Sequence, residues 1–386
     1  MNTQALLERL IAFDTVSARP NLALIEFARD LLERGGARVD LVPDASGTKA
    51  NLYATVGPTD RPGVMLSGHT DVVPVEGQRW SVPPFALTRR GDRLYGRGTA
   101  DMKGFVACAL AAALAAAPRA ASLRTPLHLA LSHDEEIGCV GVRSLVALLA
   151  EAPFRPALCI VGEPTSLAVA TGHKGKTACR ARCTGRAAHS ALAPEGLNAI
   201  HLAADLVGEI RALQARLVDG GASDAAYDIP YSTLHVGRID GGVALNIVPD
   251  ACTLAFEIRD IAADDPRALL ASIEAAAARL VAAARERVPE AAIDIEITNS
   301  YPGLETPSES EAVAFVRSLT GANRTLKVAF GTEGGLFSER LGIPTVVCGP
   351  GSMAQGHKPD EFVAVEQLER CDAMLAALLE RLEAGF

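Results

Sequence analysis

The sequence predicts an α/β protein: a mostly parallel-sheet domain with a ferredoxin-like α+β domain inserted into it. Three features of the chain predict this. Up to about residue 175, strand-like and helix-like segments alternate, the pattern of helices packed on a parallel sheet. Between 176 and 302 the order becomes β-α-β-β-α-β, that of a ferredoxin-like sandwich. From 303 onward the α/β rhythm resumes. The expected domains are therefore 1–175 with 303–386, and the insertion 176–302. A chain of 386 residues is long enough for more than one core.

The elements follow in order. Leu6, Leu7, Leu10 and Ile11 recur at helical spacing, with Glu8 and Arg9 on the other side, an amphipathic surface helix. GVMLSGHTDVV reads as a strand and a loop. DMKGFVACALAAALAAA reads as a helix ended by Pro118. PLHLALSHDEE is a strand and a loop, GVRSLVALLAEAP a helix, and ALCIVGEP a strand. In the insertion, KTACRARCTG alternates like a half-exposed strand, and LNAIHLAADLVGEIRALQ is a helix. STLHVGRIDGG and ALNIVPDACTLAFEIRD are strands joined at a Gly-Gly turn. DPRALLASIEAAAARLVAAARERV is an Ala-rich helix and IDIEITNSYPG a closing strand. A last helix falls near 365 to 383.

Composition excludes several classes. With 37 basic and 46 acidic residues the net charge is -9, and only 4% of residues are aromatic. No basic stripe is available for nucleic acid or an anionic membrane. The most apolar run, 105 to 117, is too short and too Ala-rich to span a bilayer, and the N-terminus lacks a signal-peptide pattern. The eight cysteines form no CxxC pair or disulfide framework, and a reducing cytoplasm suits them.

Residues 132 to 138, SHDEEIG, pose a problem. Three acids follow a strand-like run, where they repel one another and cost free energy to desolvate. A solvated acidic loop is one reading and a bound cation is the other. Other acids and histidines follow apolar runs in the same way: His69 and Asp71 in SGHTD, Asp101 in GRGTADMKG, Glu163 in VGEP and His357 in GPGSMAQGHKP. With the acids of HDEEIG counted between Asp101 and Glu163, the first four groups recur about every 30 residues, the length of a βαβ unit, so they can meet on one rim of a sheet. Taken singly, each has an ordinary explanation. His69 suits a core histidine, Asp101 a helix N-cap, Glu163 a turn residue and His357 a solvated loop. Together, two histidines and three carboxylates make a ligand set for two zinc-like ions, one carboxylate bridging. One acid remains as a base. Asp71, two residues past His69 on an extended segment, can orient the imidazole.

These residues resemble the co-catalytic metallopeptidase family that holds carboxypeptidase G, aminoacylase, succinyl-diaminopimelate desuccinylase and acetylornithine deacetylase. The stretches that carry the resemblance are SGHTDVVPVEGQRW, LYGRGTADMKG, LSHDEEIG, VGEPTS, GHKGK, GRAAHSALAPEGLNAI, GGVALNIVPD and CGPGSMAQGHKPDEF, from about 66 to 362. The flanks YSTLHVGRI and FGTEGG look most like the branch that deacetylates N-acetylornithine.

The resemblance implies a metal-dependent amidohydrolase yielding ornithine and acetate, as in arginine biosynthesis. It implies that His69 and Glu163 hold one metal, Glu136 and His357 the other, and that Asp101 bridges. Glu135 is then the general base and Asp71 orients His69. His189 resembles the lid histidine that stabilises the oxyanion. Asn246 and Arg259 match lid positions that contact the acyl oxygen or carboxylate of the substrate. Zinc is the expected metal, with cobalt or manganese able to occupy such a site. The inserted domain is expected to close over a small N-acyl amino acid and to mediate a homodimer, although the apolar face of its first helix can equally pack on its own sheet. Glu333 is the candidate partner for the substrate ammonium, and FGTEGG is read as a tight turn. The alternatives are a deacylase, dipeptidase or desuccinylase of the same family, and a non-catalytic relative that would have lost ligands or base. Asp134 carries no expected role.

Overall fold

The structure, a computed structural model, describes residues 1–385. It contains two compact units. One comprises Met1–His173, Leu304–Lys327 and Thr332–Phe386, the other Lys174–Gly303 and Val328–Gly331. No helix of the described residues is long and apolar enough to cross a membrane.

The first unit opens with α1 (Thr3–Ile11), α2 (Leu22–Arg34), β1 (Arg38–Pro43), β2 (Ala50–Val56) and β3 (Val64–His69). The short strands β4 (Thr88–Arg90) and β5 (Arg93–Tyr95) precede α3 (Lys103–Ala116), β6 (Leu127–Ser132), α4 (Val142–Ala150), β7 (Leu158–Pro164) and β8 (Val169–His173). The second unit supplies β9 (Lys176–Thr184), α5 (Ala199–Gly220), β10 (Thr233–Gly241), β11 (Ala251–Arg259), α6 (Pro266–Arg285) and β12 (Ala292–Tyr301). The chain ends with β13 (Leu304–Glu305), α7 (Glu311–Thr320), β14 (Thr325–Val328), α8 (Gly334–Leu341), β15 (Thr345–Gly349), β16 (Phe362–Ala364) and α9 (Val365–Ala384).

The main sheet runs β1-β2-β6-β3-β7-β15-β8-β13, with β14 beside β8. Its centre is parallel, β3 pairing with β6 and β7, and β7 with β15. β1, β2 and β13 join antiparallel at the flanks. The central strands are buried along their whole length, as strands covered on both faces must be. α3 packs on β3 and β6 and against α1 and α9. Leu6, Leu7, Leu10 and Ile11 of α1 are wholly buried in this core. Phe105 of α3 lies on β7 at Gly162, where a Cβ would stand 1.9 Å from the ring. Glycine alone fits there, directly before Glu163.

The second unit is a four-stranded antiparallel sheet in the order β10-β11-β9-β12. β9 alternates buried and open residues. α6 starts at an Asp265 N-cap followed by Pro266, a cap whose oxygen serves a free N–H and a proline that needs none. Leu206, Ile210 and Leu213 of α5 pack with Leu254, Phe256 and Ile258 of β11 and with Leu270 and Ile273 of α6. The apolar face of α5 is thus largely spent on its own sheet.

Three expectations change. The loop between β10 and β11 spans 242 to 250 and is not a two-residue turn. Its backbone bonds elsewhere: Val248 N–H donates to Ala188 O and Ser190 N–H to Asn246 O. The FGTEGG stretch does not end as a turn, since Gly334 and Gly335 form the first turn of α8. Asp101 does not leave a strand of the main sheet either. It follows β4 and β5, which pair with β16 in a separate three-stranded sheet.

Candidate metal centre

Three adjacent parallel strands deliver the first residues to one end of the sheet. His69 closes β3, the acids of SHDEEIG follow β6, and Glu163 lies near the end of β7. Carboxyl ends of parallel strands are where α/β sheets bind ligands. Asp101 comes from the turn before α3, whose N-cap position is Met102 with no side-chain cap. The aspartate is therefore not a helix cap. His357 comes from the loop between β15 and β16, with a left-handed φ of 60°.

The structure brings these groups together. His69 Nε2 lies 3.1 Å from Asp101 Oδ1 and 3.6 Å from Glu163 Oε1. His357 Nε2 lies 3.0 Å from both Asp101 Oδ2 and Glu136 Oε2. Ligating atoms on a tetrahedral cation with bonds of about 2.0–2.2 Å sit about 3.3–3.6 Å apart; these separations are at or slightly below that range, and the clustered groups could hold a metal ion. The hydrogen bonding points the same way. His69 Nδ1 is 2.9 Å from the main-chain carbonyl of Asp71. A carbonyl only accepts, so Nδ1 carries a proton, which leaves Nε2 facing the carboxylate oxygens. Positive charge belongs between Nε2 and those oxygens, supplied by a second ring proton or by a metal cation. Glu136 Oε1 is buried and has no hydrogen-bond partner.

Electrostatics tell of the same shortage of positive charge. Burial, then Glu136, Glu333 and Asp101, push Glu135 up to about 8 against the opposing pull of His69. Burial and Asp101 raise Glu136 to about 7 and hold Glu163 well above the usual carboxylate range. Burial would lower the His69 imidazole, but Asp101, Glu163 and Glu135 outweigh it and raise it. Cations at these positions would offset both the burial and the repulsion behind the carboxyl shifts.

The surrounding residues refine the sequence reading. The imidazole of His69 is held by the Asp71 carbonyl, while the Asp71 carboxylate is 3.6 Å from Nδ1. That carboxylate accepts the N–H of Glu135 (3.1 Å), the N–H of Glu136 (3.3 Å) and the Ser17 hydroxyl (2.6 Å). Asp134 forms an ion pair with Lys49 and hydrogen-bonds His133 Nδ1 at 3.0 Å. It turns away from the cluster in a left-handed conformation, φ 56°, one that aspartate tolerates. Cys139 Sγ donates to Glu135 Oε1 at 3.3 Å. Glu333 is buried and accepts from Ser67 Oγ at 3.2 Å. Lys49, Ser17 and Cys139 lie in no recognisable motif, so spacing alone gave no signal for them.

In the second unit, His189 and Ile247 form an antiparallel bridge, which sets Asn246 beside Ser190. His189 Nδ1 accepts the Ala191 N–H at 3.1 Å. Arg259 ends β11 partly buried, donating to Glu257 Oε1 and Tyr301 Oη, both at 3.1 Å. It is not an isolated strand charge.

Comparison with known proteins agrees with this chemistry. Peptidase family M20/M25/M40 matches residues 65–381. An acetylornithine deacetylase of Myxococcus xanthus is 36% identical over 99% of this chain and 98% of its own length. One of Proteus mirabilis is 35% identical over 97% and 95%. Among solved structures, a metallo-carboxypeptidase of the M20 family from Sulfolobus solfataricus superposes with a TM-score of 0.76 at 18% identity, covering 100% of each chain. A dinuclear metal-binding peptidase of that family from Bacillus subtilis gives 0.65 at 17%, covering 98% of this chain and 99% of the other. This chain belongs to peptidase family M20/M25/M40 and is a hydrolase acting on amide bonds.

Proposed function

We propose that the chain removes the acetyl group from N-acetyl-L-ornithine, releasing ornithine and acetate, as a cytoplasmic step of arginine biosynthesis. The observation that carries this is the likeness to acetylornithine deacetylases at 36% and 35% identity over nearly the whole chain. In this reading His69 and Glu163 hold one divalent cation, Glu136 and His357 a second, and Asp101 bridges. Zinc suits the nitrogen and oxygen donors, and cobalt is the alternative. When bound, the two cations polarise the acyl carbonyl and bring the pKa of water towards neutrality.

Glu135 is the proposed proton carrier. Its Oε1 is engaged by Cys139, which leaves Oε2 to take a proton from water and return it to the departing amine nitrogen. Asp71 fixes the backbone on which Glu135 stands, and its carbonyl holds the His69 ring. His189 is assigned to the developing oxyanion. Asn246 is assigned to the acyl oxygen and Arg259 to the substrate carboxylate, through a two-pronged contact. Glu333 is not assigned to the substrate ammonium, because its carboxylate is buried against Ser67.

We also propose a homodimer through the second unit. Two features support it. β10 is an edge strand, which favours pairing with another strand, and Ile239 on it is 50% exposed.

The test is turnover of a panel by zinc-loaded protein: N-acetyl-L-ornithine, N-succinyl-diaminopimelate, other N-acetyl amino acids and a dipeptide. The expected result is the highest kcat/KM for N-acetyl-L-ornithine. Preference for another member overturns the substrate while keeping the reaction class.

A further inference from the structure

Behind Asp101 and His357 lies a buried ion pair that contributes no ligand. Arg97 and Glu361 are each 1% exposed, and Arg97 Nη1 donates to Glu361 Oε2 at 2.6 Å. Taking both charges out of water is expensive, and their mutual attraction repays it only when the other polar atoms are also satisfied. Apart from Arg97 Nε, which is buried with no hydrogen-bond partner, those other atoms make contacts that converge on the metal centre.

Glu361 Oε1 accepts the backbone N–H of Ala100 at 2.9 Å and of Asp101 at 3.1 Å. It thereby fixes the turn that presents the bridging carboxylate. Arg97 Nη1 also donates to the Lys358 carbonyl at 3.3 Å, and Nη2 donates to Gln78 Oε1 at 2.6 Å. Gln78 Nε2 then donates to the carbonyl of His357 at 3.2 Å. The guanidinium sits 5.0 Å from the Trp80 ring centroid, within range of a cation–π contact. One guanidinium thus ties together the turn before α3, the loop after β3 and the loop that carries His357.

The two halves of the centre differ in what supports them. His69 and Glu163 stand in central strands of the sheet, where the hydrogen-bonded ladder already fixes the backbone. Asp101 and His357 stand on irregular segments outside any ladder of that sheet. His357 is also the most open of the clustered groups, its side chain 46% exposed. An irregular loop holds a ligand only as well as the side chains that brace it.

We infer that Arg97, Glu361 and Gln78 form a positioning network that sets the affinity for the cation between Asp101, Glu136 and His357, an assignment that rests on the two-cation reading above. They are positioning residues because none of them touches the cation. The negative charge of Glu361 matters as well as its shape. Its two oxygens serve two backbone N–H groups and a guanidinium. An amide has one oxygen, and its NH₂ group would face a donor on either side.

The experiment is a zinc titration of metal-free full-length protein by calorimetry, with bound zinc counted by mass spectrometry. Wild type, Glu361→Gln and Gln78→Ala are compared. Wild type is expected to bind two zinc ions. In Gln78→Ala, which among the ligands reaches only His357, one zinc is expected to keep its affinity while the other binds about 10- to 100-fold more weakly, the usual effect of removing an outer partner of a ligand. In Glu361→Gln, which loosens the shared Asp101, both are expected to weaken, the ion at His357 the more. Gln78 is only half-buried, so Gln78→Ala decides the matter if Glu361→Gln fails to fold. Two unchanged affinities in the variants would overturn the network while leaving the two-cation reading intact. Equal weakening of both ions in Gln78→Ala would also overturn it, since that marks a general loosening of the fold. Fewer than two zinc ions in wild type would overturn the two-cation reading and the network with it.

Discussion

The carboxylate of Asp71 accepts the backbone N–H of Glu135 at 3.1 Å. A residue two positions past His69 therefore orients the acid in the loop after the neighbouring strand β6, while the imidazole is held by the Asp71 main chain. Replacing Asp71 by Ala is expected to leave the carbonyl contact to His69 in place and to strip the N–H groups of Glu135 and Glu136 of their acceptor. Metal content should stay near wild type while kcat falls about 10- to 100-fold, the range for outer partners of a metal site. Metal analysis beside steady-state kinetics checks this. A loss of zinc equal to the loss of kcat would return Asp71 to the imidazole.

Glu135→Gln is expected to keep both cations and lose about 10²- to 10⁴-fold in kcat, the usual contribution of a positioned proton-transfer group. Near-normal turnover in this variant would remove Glu135 from the proton-carrying role. Metal counting on the same sample separates this outcome from a damaged site.

The ligands should divide by cation. His357→Ala removes an imidazole from the half shared by Asp101 and Glu136 and is expected to lower bound zinc from two ions to about one. Asp101→Ala removes the oxygens that face both histidines and should deplete both ions. Chelation of wild type should abolish turnover, with zinc or cobalt restoring it. Full occupancy in His357→Ala would dismiss that residue as a ligand.

Away from the centre, His128 sets a pH dependence of stability. Its ring is buried against Tyr53 and its Nδ1 meets the Thr55 hydroxyl at 3.0 Å. Burial lowers it to about 4, below the usual histidine value of about 6.5. A depressed folded pKa gives stability that is complete above the unfolded value and is lost as pH falls towards the folded one. Between pH 7.5 and 5 this group alone should cost about 2 kcal/mol. His128→Gln should lack that increment, and urea midpoints of both proteins at the two pH values measure it. Parallel pH profiles for the two proteins would contradict the assignment.

Much of the fold was legible because hydrophobic period and chain order are local. The strand ending at His69, the α3 helix and the β-α-β-β-α-β order of the second unit all follow from side-chain spacing and punctuation. The link between β10 and β11 was misread because Gly241 and Gly242 resemble a tight turn. The segment after them instead bonds to residues 188 to 199, a pairing no local signal reports. The candidate ligands were legible for a different reason. Acids and histidines at strand exits stand out against apolar runs, and the sheet gathers strand ends at one rim.

The sequence by itself determined which residue types gather and roughly where each stands along its element. Tertiary structure alone decided what each one faces. SHDEEIG shows the difference: three adjacent acids look alike as text, yet the backbone turns Asp134 towards Lys49, Glu135 towards Cys139 and Glu136 towards His357. The same holds for Arg97 and Glu361, separated by more than half the chain. Their pairing depends on burial in one place, and burial is a property of the packed molecule that no stretch of sequence carries alone.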